Sequence, residues 1–263
     1  MNSPIFRRPT VGVLIRFGDS ATTLPHVVMA LKQQTRQPDR ILGIDSGSQD
    51  GSRGILEAAG AEVVAWTKPY GHSEVLNSGL QQLDTDLVLV LSSHTVLESP
   101  ETLARMVEAM ADPRAACISL KWDADPYYSD IIDWDELQAK GLRFGSIYSN
   151  SMGLLRRSCW QTVPFDESLP TAEDYAWAVA QLRAGHLCHR LDLGFTYQRH
   201  GTAREGAFAG VTFRLAHRHG LRVKWLGVVG TVRHLASAAL KRTPWSEQRP
   251  ALARLGAWAS HRG

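Results

Sequence analysis

The chain has 263 residues, of which 44% are hydrophobic and 21% charged, and its formal net charge is +3. These fractions exclude an intrinsically disordered chain, a collagen-like repeat and a small scaffold held by disulfides. The three scattered cysteines lack the spacing of a zinc or redox site, and no apolar run approaches the ~20 residues that span a bilayer. We therefore expect a cytoplasmic protein with reduced thiols.

The first 120 residues alternate between strand-like and helix-like segments. Apolar, β-branched runs predict strands at 11–15, 40–44, 62–66, 87–91 and 115–120. Apolar residues at helical spacing predict the helices between them, at 22–34, 54–59, 73–83 and 100–110. Such alternation predicts an open α/β sheet with helices on its faces.

The pattern breaks after this point. Residues 121–145 mix acidic and aromatic side chains without a period, which is typical of a functional loop. A strand at 151–155 is predicted to return to the sheet, and a helix at 173–184 to end before Gly185. From residue 203 onward the sequence predicts two or three basic amphipathic helices, with breaks near Gly220 and Pro244.

Charge is distributed unevenly along the chain. Residues 200–263 contain 11 Lys and Arg against 2 Asp and Glu, a net charge of +9, which leaves −6 on the preceding residues. Either this tail faces an anionic partner, such as phospholipid, a lipid-linked diphosphate or nucleic acid, or it packs on the acidic body. Basic amphipathic helices of this kind can also lie on an anionic membrane surface.

Two motifs follow predicted strands at their carboxyl ends, where open α/β sheets bind ligands. Asp45 and Ser46 follow the second strand, where a carboxylate suits hydrogen bonding to ribose or a base, although any tight turn uses the same residue types. Ser92-Ser93-His94 ends the fourth strand, where an imidazole suits a divalent ion, a phosphate or a local hydrogen bond.

A third motif is a pair of adjacent carboxylates. Glu173 and Asp174 open the helix at 173–184, where the helix dipole favours negative charge. Held out of solvent in a cleft, one of them can take a proton from an attacking hydroxyl. An acidic first turn is also common for reasons of helix stability alone.

Together, and in this order, the motifs resemble the inverting family 2 glycosyltransferases with the GT-A fold, over about residues 10–200. The segments that carry the resemblance are Val11–Arg16, Gln33–Thr35, Ile44–Gly51, Asn77–Gly79, Leu91–His94 and Ala172–Trp177. The resemblance implies one domain at 1–200 with an open, mixed, mostly parallel sheet flanked by helices. Its Rossmann-like half at about 10–120 would bind a nucleotide sugar, its half at about 121–200 would hold the acceptor and the catalytic residues, and 201–263 would form a basic helical extension.

The same resemblance implies the chemistry. A sugar would pass from a nucleoside-diphosphate sugar to the hydroxyl of a glycan or lipid-linked acceptor, in cell-surface polysaccharide or lipid-linked glycan synthesis. Asp174 would be the general base, and Glu173 would orient neighbouring groups. The residues that would bind the donor are Arg16, Phe17, Asp45, Ser46, Asn77, Ser93 and His94. The residues that would form acceptor walls are Trp122, Trp134 and Trp177, whose faces stack on sugar rings.

The chain departs from the family at the metal motif. Ser92-Ser93-His94 stands in place of Asp-x-Asp, and this version resembles a rhamnosyltransferase-like subgroup. His94, with His200 as a second ligand, can coordinate Mn²⁺ or Mg²⁺ but adds no negative charge, so metal dependence stays open.

A second departure lies beside the expected diphosphate contact. Leu76 stands where the family reads Arg before Asn77. Lys68 or His72 is the candidate replacement, unless His72 is a surface loop residue.

Two other functions fit parts of the sequence. A degenerate transferase fold that serves as a partner subunit fits the altered metal motif but not the intact Glu173–Asp174 pair. A nucleic-acid-binding protein would use the basic tail, yet the sequence has no helix-turn-helix, zinc or RNA-recognition signature, so we expect no nucleic acid partner. The expected location is the cytoplasm, with the tail as a peripheral contact on the inner face of the membrane.

Overall fold

A computed structural model describes residues 7–122, 126–143, 147–198 and 205–223. The strands in this part of the chain are β1 Val11–Phe17, β2 Arg40–Asp45, β3 Glu62–Ala65, β4 Leu87–Ser92, β5 Thr95–Leu97, β6 Ala115–Leu120, β7 Ile131–Ile132, β8 Met152–Arg156, β9 Leu187–Leu191 and β10 Phe195–Tyr197. The helices are α1 Leu24–Lys32, α2 Ser52–Ala58, α3 His72–Gln82, α4 Thr102–Ala109, α5 Trp134–Lys140, α6 Arg157–Thr162, α7 Glu173–Arg183 and α8 Glu205–His219.

Eight strands form one mixed sheet in the order β3-β2-β1-β4-β8-β6-β9-β7. Strand β1 lies between β2 and β4 and is parallel to both, with Val13 opposite Ile41 and Leu89. Strand β8 inserts antiparallel between β4 and β6, and β9 runs parallel to β6. Strand β5 leaves the end of β4 and pairs antiparallel with β10 in a small second sheet. The predicted open, mixed, mostly parallel sheet is confirmed.

The predicted elements of the first 120 residues are all present, with ends shifted by one or two residues. Every residue of β4 is buried, and β1 is buried except for Arg16. A strand covered on both faces needs apolar residues in succession, and these runs were visible in the sequence for that reason. Because β1, β2 and β4 are parallel neighbours, their carboxyl ends meet at one edge of the sheet.

The expectation of a loop throughout 121–145 is wrong. Helix α5 begins after Asp133, whose side chain accepts a hydrogen bond from the backbone N–H of Glu136 at 2.8 Å, and β7 pairs with the edge of β9. Two helical turns and a two-residue strand are too short to produce a visible hydrophobic period. No periodic pattern predicted β5, β9, β10 or α6 either.

The described part of the basic extension packs on the body. Helix α8 contacts α7 and buries Val211, Leu215 and Ala216, while the backbone N–H of Leu142 donates to the carbonyl of Arg222 at 2.7 Å. The apolar face of α8 is therefore used inside the protein. Its break at Gly220, with φ at +64°, is as predicted, whereas the break at Pro244 lies outside the described residues.

Two further expectations concern thiols and membrane spans. Cys117, Cys159 and Cys188 are buried and form no disulfide. Within the described ranges, no helix combines the length and the apolar character needed to cross a membrane.

Candidate functional site

A cleft of about 310 Å³ opens at the carboxyl ends of β1, β2 and β4. Open α/β sheets bind ligands in a crevice of this kind, outside the carboxyl ends of their strands. Its lining combines a guanidinium, two imidazoles, hydroxyls and aromatic rings, from Arg16, Phe17, Gly18, Ser46, Tyr70, His72, Ser92, Ser93, His94 and Tyr197. Five residues that were expected to bind a donor therefore share one cleft: Arg16, Phe17, Ser46, Ser93 and His94.

Arg16 is held in the cleft by two neighbours. Its Nη1 atom donates to the Tyr70 hydroxyl at 3.2 Å and to Nδ1 of His72. A guanidinium has no acceptor, so Nδ1 of His72 carries no proton in this contact. The Nε atom of Arg16 is buried and has no hydrogen-bond partner among the residues that the structure describes. The guanidinium is thus held in a set orientation in the lining of the cleft.

Arg16 is also surrounded by groups that favour its charge. Burial lowers the pKa of its guanidinium, but Tyr70, Glu173 and Asp174 outweigh that effect and raise the pKa above the ordinary value. Arg16 is therefore a permanent cation that connects the cleft electrostatically with the first turn of α7.

The carboxylate pair stands at the start of that helix. Ala172 has a φ of +61°, so the chain turns sharply and α7 begins at Glu173. Glu173 is only 4% exposed, and its Oε1 accepts from Nδ2 of Asn150 at 3.2 Å. Asp174 is less buried, and its carboxylate accepts from the backbone N–H groups of Asn150 at 3.1 Å and Tyr175 at 2.8 Å.

The environment of Asp174 changes its acidity. Burial and the neighbouring charge of Glu173 raise the pKa of Asp174 to about 7, although the two backbone hydrogen bonds and Arg16 act in the opposite direction. A carboxylate with such a pKa is matched to proton transfer near neutral pH. The geometry therefore distinguishes the two carboxylates, because Glu173 is enclosed and Asp174 is more accessible.

The altered metal motif forms a hydroxyl-lined turn after β4. Ser93 Oγ lies 2.9 Å from Ser20 Oγ, and the backbone N–H of His94 donates to Ser92 Oγ at 3.3 Å. Nδ1 of His94 lies 3.4 Å from the hydroxyl of Thr23. These contacts fix the turn and place its serines and its imidazole along the cleft.

Asp45 shapes the loop next to the cleft. Its Oδ1 accepts from the backbone N–H groups of Gly47 at 3.1 Å and Ser48 at 2.8 Å, and from Ser48 Oγ at 2.7 Å. These bonds fold the loop so that Ser46 lines the cleft. The expected contact between Asp45 and a ribose or a base stays a prediction.

The structure places Asn77 elsewhere than expected. Its side chain is 5% exposed, donates to the Phe165 carbonyl and to Glu167, both at 2.9 Å, and accepts from Trp160 and from the backbone of Phe165. All four hydrogen-bonding positions of the amide are filled, so Asn77 ties α3 to the segment before α7. A diphosphate contact from Asn77 does not fit this arrangement.

The three tryptophans separate in the fold. Trp177 is 2% exposed, donates to the Val163 carbonyl and packs among aromatic rings, so it is a core residue and its expected place in an acceptor wall is wrong. Trp134 is half-buried against the ring of His219 in α8 and is likewise absent from the lining of the cleft. Trp122 is 36% exposed and contacts the ring of Tyr197, which lines the cleft.

The described lining of the cleft lacks the carboxylate oxygens that usually hold a divalent cation. It offers hydroxyls and imidazoles, and no group of three or more His, Cys, Asp or Glu gathers in the described ranges. Mg²⁺ prefers charged oxygen ligands, and Mn²⁺ binds the same hard donors. His200 lies outside the described residues, so its part as a second ligand stays a prediction.

Two aromatic residues of the lining were not singled out in the sequence, and a third lining residue, a histidine, was ambiguous. Tyr70 follows the third strand, and Tyr197 ends β10. His72 is the first residue of α3 and lines the cleft, which favours the interpretation as a ligand-facing residue over a surface loop residue. The available signal for Tyr70 and His72 was an aromatic residue and a histidine at the start of a helix that follows a strand of the sheet.

Sequence comparisons identify related proteins. A family model described as "Glycosyl transferase family 2" matches residues 13–163. The O-antigen chain rhamnosyltransferase RfbN of Salmonella typhimurium is 26% identical over 196 residues, covering 67% of this chain and 62% of that protein. The O-antigen chain rhamnosyltransferase WbaN of Salmonella anatum is 24% identical over 174 residues, covering 60% and 55%. The chain thus spans about three-fifths of the length of these relatives.

Solved structures share the fold. The mannosyltransferase PcManGT from Pyrobaculum calidifontis, in complex with GDP-Man and Mn²⁺, has a TM-score of 0.63 at 18% identity and covers 97% of this chain and 76% of its own. Glucosyl-3-phosphoglycerate synthase from Mycobacterium tuberculosis, in complex with Mn²⁺, UDP and phosphoglyceric acid, has a TM-score of 0.61 at 18% identity, covering 81% and 80%. These likenesses confirm the predicted GT-A architecture.

Proposed function

Because the chain belongs to glycosyl transferase family 2, we propose that it transfers a sugar from a nucleoside-diphosphate sugar to an acceptor hydroxyl, with inversion at the anomeric carbon. The observation that carries the proposal is the position of Arg16. This one cation lines the cleft at the sheet edge and is attracted by both carboxylates of α7. A donor in the cleft would therefore lie beside the group that activates the acceptor.

Asp174 is the general base in this proposal. It removes the proton from the acceptor hydroxyl while the oxygen attacks the anomeric carbon, and the bond from that carbon to the diphosphate oxygen breaks on the opposite side. Its pKa of about 7 lets it hold that proton near neutral pH. Glu173 is too enclosed to reach an acceptor, and through Asn150 it helps to keep the start of α7 in place.

The acceptor lies on the side of Trp122. This indole is 36% exposed and meets the rings of Phe195 and Tyr197 edge-on, each at 5.2 Å between centroids. Aromatic faces of this kind provide large apolar contact area for a sugar ring. Of the three tryptophans considered, Trp122 alone adjoins a lining residue of the cleft in the described structure.

The relatives suggest the kind of sugar. RfbN and WbaN are named as O-antigen chain rhamnosyltransferases. We therefore assign this chain a deoxyhexose donor of the rhamnose type and a role in cell-surface polysaccharide synthesis, with a glycan or lipid-linked acceptor.

Ligand-induced thermal stabilisation tests the donor class. A panel of nucleoside diphosphates and their sugars, including rhamnose donors, is expected to contain one nucleotide that raises Tm, because a ligand that binds only the folded state stabilises it. The sugar from that donor should then appear on an acceptor with inverted anomeric configuration by NMR. Stabilisation by no nucleotide would favour the partner-subunit alternative, and retained configuration would contradict the single displacement.

A further inference from the structure

Arg16 is an oriented cation in the lining of the donor cleft. We infer that Arg16 neutralises the diphosphate of the donor and of the leaving group in place of a divalent cation, an inference that depends on the proposed function. Three features of the described residues support it: the donor atoms around the turn after β4, the way Arg16 is held, and the charges behind it.

The turn after β4, Ser92-Ser93-His94, contains no carboxylate. A divalent cation between protein and diphosphate is normally held by carboxylate oxygens. Here Ser92, Ser93 and His94 supply two neutral hydroxyls and an imidazole, and the hydroxyls already have partners within the protein. No other described residue brings a carboxylate to the lining. The turn thus presents hydroxyls and an imidazole, and no carboxylate, to the diphosphate.

Arg16 has the geometry that anion binding needs. Tyr70 and His72 hold its Nη1 atom, so the orientation of the guanidinium is set before a ligand arrives. Its buried Nε has no hydrogen-bond partner in the described part of the chain. A planar guanidinium presents neighbouring N–H groups that match two oxygens of a phosphate, and a preorganised fork loses little entropy on binding.

The two carboxylates at the start of α7 stabilise the positive charge of Arg16. Glu173 and Asp174 stabilise the protonated guanidinium, while no described residue in the lining of the cleft brings a carboxylate. A diphosphate in the cleft would therefore not compete with a carboxylate of the described lining for Arg16. Transfer of the sugar leaves additional negative charge on the diphosphate, and Arg16 is positioned to stabilise it without reorganisation.

Calorimetric titration of UDP, GDP and dTDP into the full chain tests this without relying on turnover. The nucleotide that binds is expected to do so with EDTA as well as with Mg²⁺ or Mn²⁺, with Kd values within about threefold of one another. Arg16→Met should weaken that binding about 10–100-fold in EDTA, because a charge-assisted contact to phosphate is lost. The nucleotide affinity of Arg16→Lys in EDTA should lie between those of the unmodified chain and Arg16→Met, because lysine keeps the charge but lacks the planar set of N–H groups.

Two further variants sharpen the comparison. Arg105→Met is the matched control, because Arg105 lies on α4 in an exposed ion pair with Glu108 and should bind the nucleotide like the unmodified chain. His94→Asp places a carboxylate on the cleft, so its affinity should fall in EDTA and recover with Mn²⁺. This variant and the metal comparison on the unmodified chain remain informative even where Arg16→Met fails to fold.

The outcomes separate the two proposals. Binding by the unmodified chain only in the presence of a divalent cation, or unchanged binding by Arg16→Met in EDTA, overturns the inference and leaves the transferase intact. Binding of no nucleotide with or without metal overturns the proposed function itself. Metal-independent binding that depends on Arg16 supports both.

Discussion

The backbone N–H of Asn150 donates to Oδ2 of Asp174 at 3.1 Å, so the turn that precedes β8 holds the first turn of α7. The side chain of the same Asn150 binds Glu173. One residue thus keeps two carboxylates side by side, although their mutual repulsion opposes it. Burial and the neighbouring charge of Glu173 raise the pKa of Asp174 to about 7, which makes that residue the testable centre of the proposed chemistry.

Asp174→Asn should lower kcat by about 10²–10⁴-fold, the range that a general base contributes, while leaving the affinity for the donor nucleotide unchanged. The amide is as large as the carboxylate but cannot take up the proton of the acceptor hydroxyl. Steady-state kinetics and calorimetry on the same preparation measure the two quantities. Asp135→Asn is the matched control, since Asp135 is an exposed carboxylate in the first turn of α5. Turnover close to that of the unmodified chain would exclude Asp174 as the base.

The same substitution should affect stability in a pH-dependent way. The pKa of Asp174 is raised from 3.8 to about 7, so the folded state binds its proton more tightly than the unfolded state does. Ionisation of Asp174 therefore destabilises the fold as pH rises through this interval, and the cost is fully present above the folded pKa. Asp174→Asn removes that cost, so its Tm should exceed that of the unmodified chain at pH 8 but much less at pH 4.5.

Differential scanning fluorimetry at the two pH values measures this difference, and about 1 kcal/mol corresponds to ~2–4 °C in a chain of this size. The comparison with Asp135→Asn corrects for the loss of one acidic charge. A Tm difference that stays the same at both pH values would contradict the raised pKa.

Asn77→Ala should destabilise the fold without changing nucleotide affinity. The substitution leaves buried groups of Trp160 and Phe165, and the exposed Glu167, without their hydrogen bonds, at a cost of about 3 kcal/mol. Denaturant unfolding measures the cost, and titration of the nucleotide measures the affinity. Ser78→Ala, at the next position of α3, serves as the control. Weakened nucleotide binding at unchanged stability would restore the diphosphate role that the sequence alone suggested.

Trp122→Ala should raise KM for the acceptor about 5–10-fold and leave Kd for the donor nucleotide unchanged, because one aromatic contact with the sugar is lost. Trp134→Ala provides the contrast. Trp134 packs against α8, so its loss should lower Tm rather than raise KM for the acceptor. Equal KM values for the unmodified chain and Trp122→Ala would remove the indole from the acceptor site.

The strands that place the cleft could be predicted because their surroundings demand a simple pattern. Buried strands such as β1 and β4 must be apolar throughout, and helices that cover them must repeat every three to four residues. The short elements β5, β7 and β10 have two or three residues each, fewer than any period needs. The same pattern predicted that the loops after β2 and β4 lie at one edge, since the carboxyl ends of parallel strands share it, and residues of both loops line the cleft.

The sequence by itself determined the order of strands and helices in the first half, the sheet edge at which a ligand is expected, and the pair Glu173–Asp174. Only the tertiary structure decided which side chains face that edge. Asn77 and Trp177 have residue types suited to ligand contacts, yet helix packing turns them into the core. Tyr70 and His72 come 54 and 56 positions after Arg16 and meet it because β1 and the start of α3 converge on one edge. Local patterns determine the elements, whereas burial and contact between distant residues depend on how those elements pack.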